Sequence, residues 1–225
     1  MNIKNFKNKL LLNETLAINI ANDIKILLTI KKNIWMVVSG GNTPSDLYKI
    51  LSTKDIDWKR VNITLADERL VPISDSRSNE AMVRNTLIKN NASEAKLFGL
   101  NNNEIPLMDD CQSLSFLSEI NEVDILILGM GTDGHTASFF SEDINLKGIL
   151  DINNNKLFSI VSLENEAYDR VTLNFNLLSK AENIYLNITG QEKKIKLKHA
   201  IKVNNPLKEP ISIFLNHKME VYWSP

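Results

Sequence analysis

The sequence predicts an α/β protein of the doubly wound kind: a mostly parallel sheet with helices on both faces, Rossmann-like and three-layered. Two observations predict it. Short apolar runs alternate with segments at helical spacing, and the runs are continuous, as strands buried on both faces require. The glycines and charged residues best suited to chemistry fall directly after three of those runs, at what would be the carboxyl ends of the strands.

The elements follow in order. Leu12, Leu16, Ile20, Ile24 and Leu27 recur at helical spacing, predicting an amphipathic helix packed on the sheet. Strands are expected at 34–39 (IWMVVS), 61–66 (VNITLA), 124–129 (DILILG), 156–163 (KLFSIVSL), 183–189 (NIYLNIT) and 211–216 (ISIFLN). Between them PSDLYKIL and SNEAMVRNTLIK read as helices, the second capped by Ser78 or Asn79. The asparagine-rich NNNE at 101 and NNN at 153 read as loop tips. No internal repeat or linker stands out, so one domain over residues 1–225 is expected.

Composition narrows the function classes. The 225 residues are 43% hydrophobic and 24% charged, with a formal net charge of -1 and a pI near 6.3. Such a balance gives no basic footprint for nucleic acid or an anionic membrane. An anionic ligand would have to be held by local groups. The single cysteine, Cys111, excludes an intramolecular disulfide and offers no clustered zinc ligands, so no metal is expected and a reducing compartment is the natural setting. The N-terminal apolar stretch is interrupted by Asn13, Glu14, Asn22, Asp23 and Lys25, and carries neither a membrane span nor the pattern of a signal peptide. A soluble, cytoplasmic protein is expected.

If the sheet is parallel, the three clusters share one edge, and open α/β folds bind ligands at that edge, where strand order reverses. In SGGNTPSDLY, Gly40 and Gly41 let backbone amides face a ligand, Thr43 is suited to an N-cap and Pro44 to the first helical position. A helix start with free amides suits a phosphate. The spacing matches neither the P-loop nor the dinucleotide fingerprint. In LADERLVP, Asp67 and Glu68 project to opposite sides of the chain, so at most one faces the pocket, with Arg69 near or opposite it. Arg77 is a weak further anion contact. In LILGMGTDGHTASFF, three glycines precede His135, with Asp133 two residues before it. An imidazole, with an unperturbed pKa of about 6.5, suits general-base work at neutral pH, and Asp133 could orient it. No GxSxG elbow or paired cysteine nucleophile is present, which leaves water as the nucleophile. His199 and His217 have no motif around them and read as structural or surface residues.

SGGNTP, DERLVP with SN a few residues on, GMGTDGHTAS, RVTLNF and TGQEKK occur in the order and approximate spacing of 6-phosphogluconolactonases, and the chain resembles that family from about Trp35 to Lys198. These enzymes are similar in fold to the glucosamine-6-phosphate deaminases and isomerases. The deaminases usually carry DEY where Asp67, Glu68 and Arg69 stand, and continue after DGH differently from Thr136, Ala137, Ser138 and Phe139, so the lactonase is favoured. The resemblance implies hydrolysis of 6-phospho-D-glucono-1,5-lactone without cofactor or metal. It implies that His135 activates water, that Asp133 and Asp67 orient the imidazole or the sugar hydroxyls, and that backbone amides of the glycine turns meet the oxyanion. The phosphate would be held by the turn of Ser39, Gly40, Gly41, Asn42 and Thr43, by Arg69 and Arg170, and by Lys193, with Lys194 as the alternative lysine. Two departures stand out: Phe139, Phe140 and Ser141 occur where Leu-Phe-Pro is common, and Asn42 replaces the usual Ser. Beside the lactonase stand a sugar-phosphate deaminase or isomerase and a catalytically silent sugar-phosphate-binding protein.

Overall fold

The computed structural model describes residues 3–101, 112–164 and 166–225. Cys111 and most of the 101 asparagine patch lie outside the described residues. In chain order the strands are β1 (Ile3–Asn5), β2 (Ile34–Val38), β3 (Val61–Leu65), β4 (Asp67–Arg69), β5 (Lys96–Phe98), β6 (Val123–Leu128), β7 (Phe158–Val161), β8 (Arg170–Leu173), β9 (Ala181–Thr189) and β10 (Met219–Ser224). The helices are α1 (Lys9–Ile30), α2 (Asn42–Leu51), α3 (Asn79–Thr86), α4 (Leu146–Ile149), α5 (Phe175–Leu178) and α6 (Gln191–Val203).

Seven strands form one parallel sheet in the order β1-β10-β9-β6-β2-β3-β5. Chain order runs outward from β2 through β3 to β5 on one side, then resumes at β6 and runs to β10 on the other. The switch point lies between β2 and β6, where the fold class places its ligands. All six residues of β6 are buried, as a strand covered on both faces requires. In β9, Tyr185 bonds Asp23 of α1 and Asn187 bonds Asn13 of α1. The alternating Ile184, Leu186 and Ile188 are just as buried, so a second layer, which includes α5 and α6, covers the opposite face.

The stripe Leu12, Leu16, Ile20 and Ile24 on α1 is wholly inaccessible to solvent, and Leu27 nearly so. Asn8 caps the start of this helix by accepting from the Leu11 amide at 2.9 Å. At its other end Arg60, just before β3, donates to the carbonyls of Leu28, Lys31 and Lys32 at 2.9, 2.5 and 2.7 Å. Those carbonyls have no intrahelical partner or lie just past the end, so one guanidinium closes the helix and anchors the approach to β3.

Four expectations need correction. The run at 211–216 is not a strand: Pro210–Phe214 is a 3-10 helix, and the last strand is β10. Short apolar runs do not separate the two by periodicity, and Pro210, which has no N–H and a fixed φ, favours the helical turn. The strand expected at 156–163 contracts to β7 and leaves the main sheet. It joins β8 and β4 in a small antiparallel sheet of order β4-β8-β7. The DER segment is itself a strand, and β1 and β5, three residues each, are too short to leave a periodic signal. Finally, α2 is capped by Gly41, at φ +98°, and not by Thr43; Pro44 is its third residue.

Among the described residues no helix is long and apolar enough to cross a membrane. Replacing Arg60 by Met should lower stability by about 1–3 kcal/mol, the range for a lost charged donor on carbonyls, read as a drop in the urea midpoint with an unchanged slope.

Candidate active site

The three clusters meet in one cleft of about 200 Å³ at the carboxyl edge of the sheet. That is below the roughly 300–1,000 Å³ of sites for drug-sized ligands, so it suits a small metabolite. Of the residues singled out in the sequence, Ser39, Gly40, Gly41, Asn42 and Thr43 line it from the β2–α2 turn. Asp67, Arg69, His135, Arg170 and Lys193 line it from four other segments. Asp133 stands behind His135 and faces a neighbouring hollow.

The β2–α2 turn is built to present amides. Gly41 offers no side chain to cap the helix, so the N–H groups of Asn42 and Thr43, at its first two positions, lack intrahelical partners and point outward. Together with the positive end of the helix dipole they form an anion site. Gly40 is required by a close approach: a Cβ there would collide with the side-chain amide of Asn79.

Cations face this turn from the small sheet. The β4–β8 register sets Arg69 directly opposite Arg170 and Asp67 opposite Thr172. Like charges opposed across an antiparallel pair repel, and the arrangement becomes favourable when an anion lies between them. Arg170, 7% exposed, lies 5.2 Å from the Phe140 ring centroid and 5.4 Å from that of Tyr168, with Glu166 at 3.2 Å. Arg69 donates to the Arg77 carbonyl at 3.0 Å and to Asn79. In both arginines the buried Nε finds no partner in the protein. Lys193 adds a third cation, its pKa lowered by burial against the pull of Asp133 and Glu192. Lys194 does not reach the cleft lining: its ammonium lies 3.5 Å over the Trp223 ring and bonds Asn5 at 2.6 Å. Arg77 likewise is not an anion contact here, since it pairs with Asp75 at 2.6 Å.

Glu68 explains why this wall is rigid. As the alternation along the chain required, Asp67 faces the cleft while Glu68 turns beneath it, 1% exposed. Its carboxylate accepts from the amides of Arg69, Asn79 and Glu80 at 2.6, 2.7 and 2.6 Å and from the Ser78 hydroxyl at 3.0 Å. Ser78 is the N-cap of α3 and takes the Ala81 amide. Glu68 on β4 thus takes the first two amides of α3, beside the Ser78 cap.

His135 lines the same cleft. Its Nδ1 lies 2.7 Å from Asp133 Oδ1, which also accepts the His135 amide at 3.2 Å. Burial pushes the Asp133 carboxyl up, but the imidazole and its backbone amide outweigh this and pull it down to about 2. An ionised Asp133 fixes the proton on Nδ1, and Nε2 is the nitrogen left for chemistry. The ring packs on Phe140 with centroids 4.5 Å apart, so Phe140, the one position of Phe-Phe-Ser that agrees with the common Leu-Phe-Pro, supports both His135 and Arg170. Asp67 takes no part in holding the imidazole. It accepts from Ser138 at 2.6 Å and lies 4.0 Å from Arg170. Gly131 has a steric reason, since a Cβ there would meet the Asp133 carboxylate and the His135 ring. Within the loop its amide donates to the His135 carbonyl and that of Gly134 to the Gly131 carbonyl. These two amides are therefore committed within the loop, so an oxyanion would draw on other amides of the glycine turns.

His199 is exposed beside Glu209 at 3.3 Å, and His217 packs edge-on against Phe175. Asn79 and Asn187 also line the cleft, and Ser138 bonds Asp67. None of the three is singled out as a site residue from the sequence, where Asn187 stands as a polar residue inside the apolar run NIYLNIT.

The sequence profile for glucosamine-6-phosphate isomerases/6-phosphogluconolactonase matches residues 7–223. The chain belongs to this family. Relatives in it include the 6-phosphogluconolactonase of Rhizobium meliloti strain 1021, 31% identical over 100% of this chain and 99% of that one. That of Pseudomonas putida is 32% identical over 94% of this chain and 88% of its own. Among solved structures of the family, a 6-phosphogluconolactonase from Shewanella baltica OS155 superposes with a TM-score of 0.92 at 33% identity, covering 99% of this chain and 97% of that one. A monomeric glucosamine-6-phosphate deaminase shares the fold alone, with a TM-score of 0.81 at 18% identity over 100% of this chain and 97% of its own.

The depressed Asp133 carboxyl carries a stability signature. A carboxyl whose pKa falls from 3.8 to about 2 on folding stabilises the native state above pH ~4, and that contribution disappears as pH falls toward 2. Asp133→Asn should flatten the loss of stability between pH 4 and 2 in denaturant titrations; an unchanged acid slope contradicts the ion pair.

Proposed function

We propose that the chain hydrolyses 6-phospho-D-glucono-1,5-lactone to 6-phospho-D-gluconate, a carboxylic ester hydrolysis of the oxidative pentose phosphate pathway. The observation that carries this is one cleft that joins two chemically distinct sets of groups. Helix-start amides, Arg69, Arg170 and Lys193 supply donors for an anion, and His135, held by Asp133, supplies a base beside them. A sugar-acid lactone phosphorylated at the carbon remote from its carbonyl has the matching polarity.

In this reading the phosphate is held on the amides of the Gly41–Thr43 turn by the two guanidiniums and the Lys193 ammonium. His135 Nε2 takes a proton from a water as the water oxygen bonds to the lactone carbonyl carbon. Asp133 holds the ring and stabilises the imidazolium that forms. The carbonyl electron pair becomes an oxyanion, met by backbone amides. When that intermediate collapses, the bond to the ring oxygen breaks, and the imidazolium returns its proton to the departing oxygen. Net, one water is added and the base is restored. Asp67, fixed by Ser138, accepts from substrate hydroxyls. Hydrolysis of a cyclic ester needs positioning, a base and oxyanion donors, and no step calls for a redox group. We expect the enzyme to act as one domain and in the cytoplasm, where a phosphorylated sugar, unable to cross a membrane unaided, is retained.

Purified protein should release acid from the phospholactone in a pH-stat well above the spontaneous rate. His135→Ala should lower kcat by about 100-fold to 10,000-fold, the span of a general base, in a variant that remains folded by circular dichroism. Undiminished turnover in the folded variant would overturn the base assignment. Ammonia release from glucosamine 6-phosphate at a comparable rate would overturn the lactonase reading.

A further inference from the structure

One side chain in the cleft has no role so far. Asn187, on β9, is 1% exposed and lines the same cleft as the turn and Lys193. The β6–β9 register sets the preceding Leu186 opposite Leu128, so Asn187 lies level with Gly129, the first glycine of the His135 loop. Its Nδ2 donates to Oδ1 of Asn13 on α1, a long contact of 3.4 Å between two buried amides. Its Oδ1 accepts nothing from the protein.

A buried amide oxygen without a donor is unfavourable, and native proteins seldom keep one without a reason. With Nδ2 turned to Asn13, the oxygen is the atom of this cleft-lining amide left without a partner. The free groups around it differ in kind: the turn amides, Lys193 and the Nε atoms of Arg69 and Arg170 are donors. They suit a phosphate, which at neutral pH has little to donate. An acceptor set among them calls for a different part of the ligand, and a sugar-acid lactone has ring hydroxyls to fill it.

We propose that Asn187 Oδ1 accepts a hydrogen bond from one ring hydroxyl of the substrate, with Asn13 as its positioning residue, making the cleft selective for a polyhydroxylated chain. This rests on the lactonase reading and adds to it a residue that selects among phosphorylated lactones. A site that must satisfy a buried polar group rejects ligands lacking the partner more strongly than an apolar pocket does.

The test compares wild type with Asn187→Leu, which keeps the branching and the number of side-chain heavy atoms, on the parent phospholactone and on its 2-deoxy, 3-deoxy and 4-deoxy counterparts. The expected result is a fall in kcat/KM of about 10-fold or more on the parent. On one of the deoxy lactones the two proteins should agree within about 2-fold, because the hydroxyl that the residue accepts from is already gone. Asn13→Leu should give a smaller loss with the same positional signature, and Asn187→Ser serves if the leucine variant does not fold. Equal losses on all four lactones, or none, would overturn the proposal. Calorimetric binding of 6-phosphogluconate and the corresponding deoxy acids repeats the comparison without turnover. Failure of wild type to hydrolyse the parent lactone would instead fall on the proposed function.

Discussion

The site hangs on a buried carboxylate that never touches the cleft. Glu68 gathers four donors from β4 and the start of α3, and charge-assisted bonds of this kind contribute about 1.5–3 kcal/mol each. Burial alone would push its proton affinity up, and the converging donors work against that. What Glu68 fixes is the place of Asn79. That residue donates to the Asp67 carbonyl at 2.8 Å, accepts from Arg69, and lies so close to Gly40 that no larger residue fits there. Through one side chain the acid, a guanidinium and the anion-binding turn share a common reference.

The rest of the site attaches to that frame by sheet geometry. Parallel strands deliver the β2 turn, β4 and the His135 loop to one edge, and the short antiparallel sheet folds Arg170 over against Arg69. Arg69, Arg170 and Lys193 bring three positive charges to the cleft, one more than Asp67 and Glu166 offset. A chain of net charge -1 thereby concentrates cationic character where a small anion fits. The base is placed by Asp133 and by Phe140, and since Phe140 also packs against Arg170, binding and proton transfer share that ring.

Much of this was legible in the chain. Continuous apolar runs revealed the buried parallel strands, and the glycines after them marked where backbone approaches a neighbour or ligand. Alternation along the chain separated the roles of Asp67 and Glu68. Other features had no local trace. The antiparallel β4–β8 pairing, which makes Arg69 and Arg170 a pair, joins segments a hundred residues apart. Lys193 and Lys194 are equivalent in a run of lysines until Trp223 and Asn5 capture the second. The apolar residues at 211–216 fit a strand as well as a buried helical turn, and Pro210 was the one local sign of the outcome. Asn187 was visible as an interruption in an apolar run, but its meaning required knowing that Asn13 faces it across the α1 layer.

The central claim is the polarity of the cleft, anion at the helix start and reacting carbon at the histidine. A crystal structure with 6-phosphogluconate bound tests it most directly. The account predicts the phosphate on the amides of Asn42 and Thr43, bracketed by Arg69, Arg170 and Lys193, with the product carboxylate within hydrogen-bonding distance of His135 Nε2. A phosphate seated at His135, or product bound outside this cleft, would contradict it.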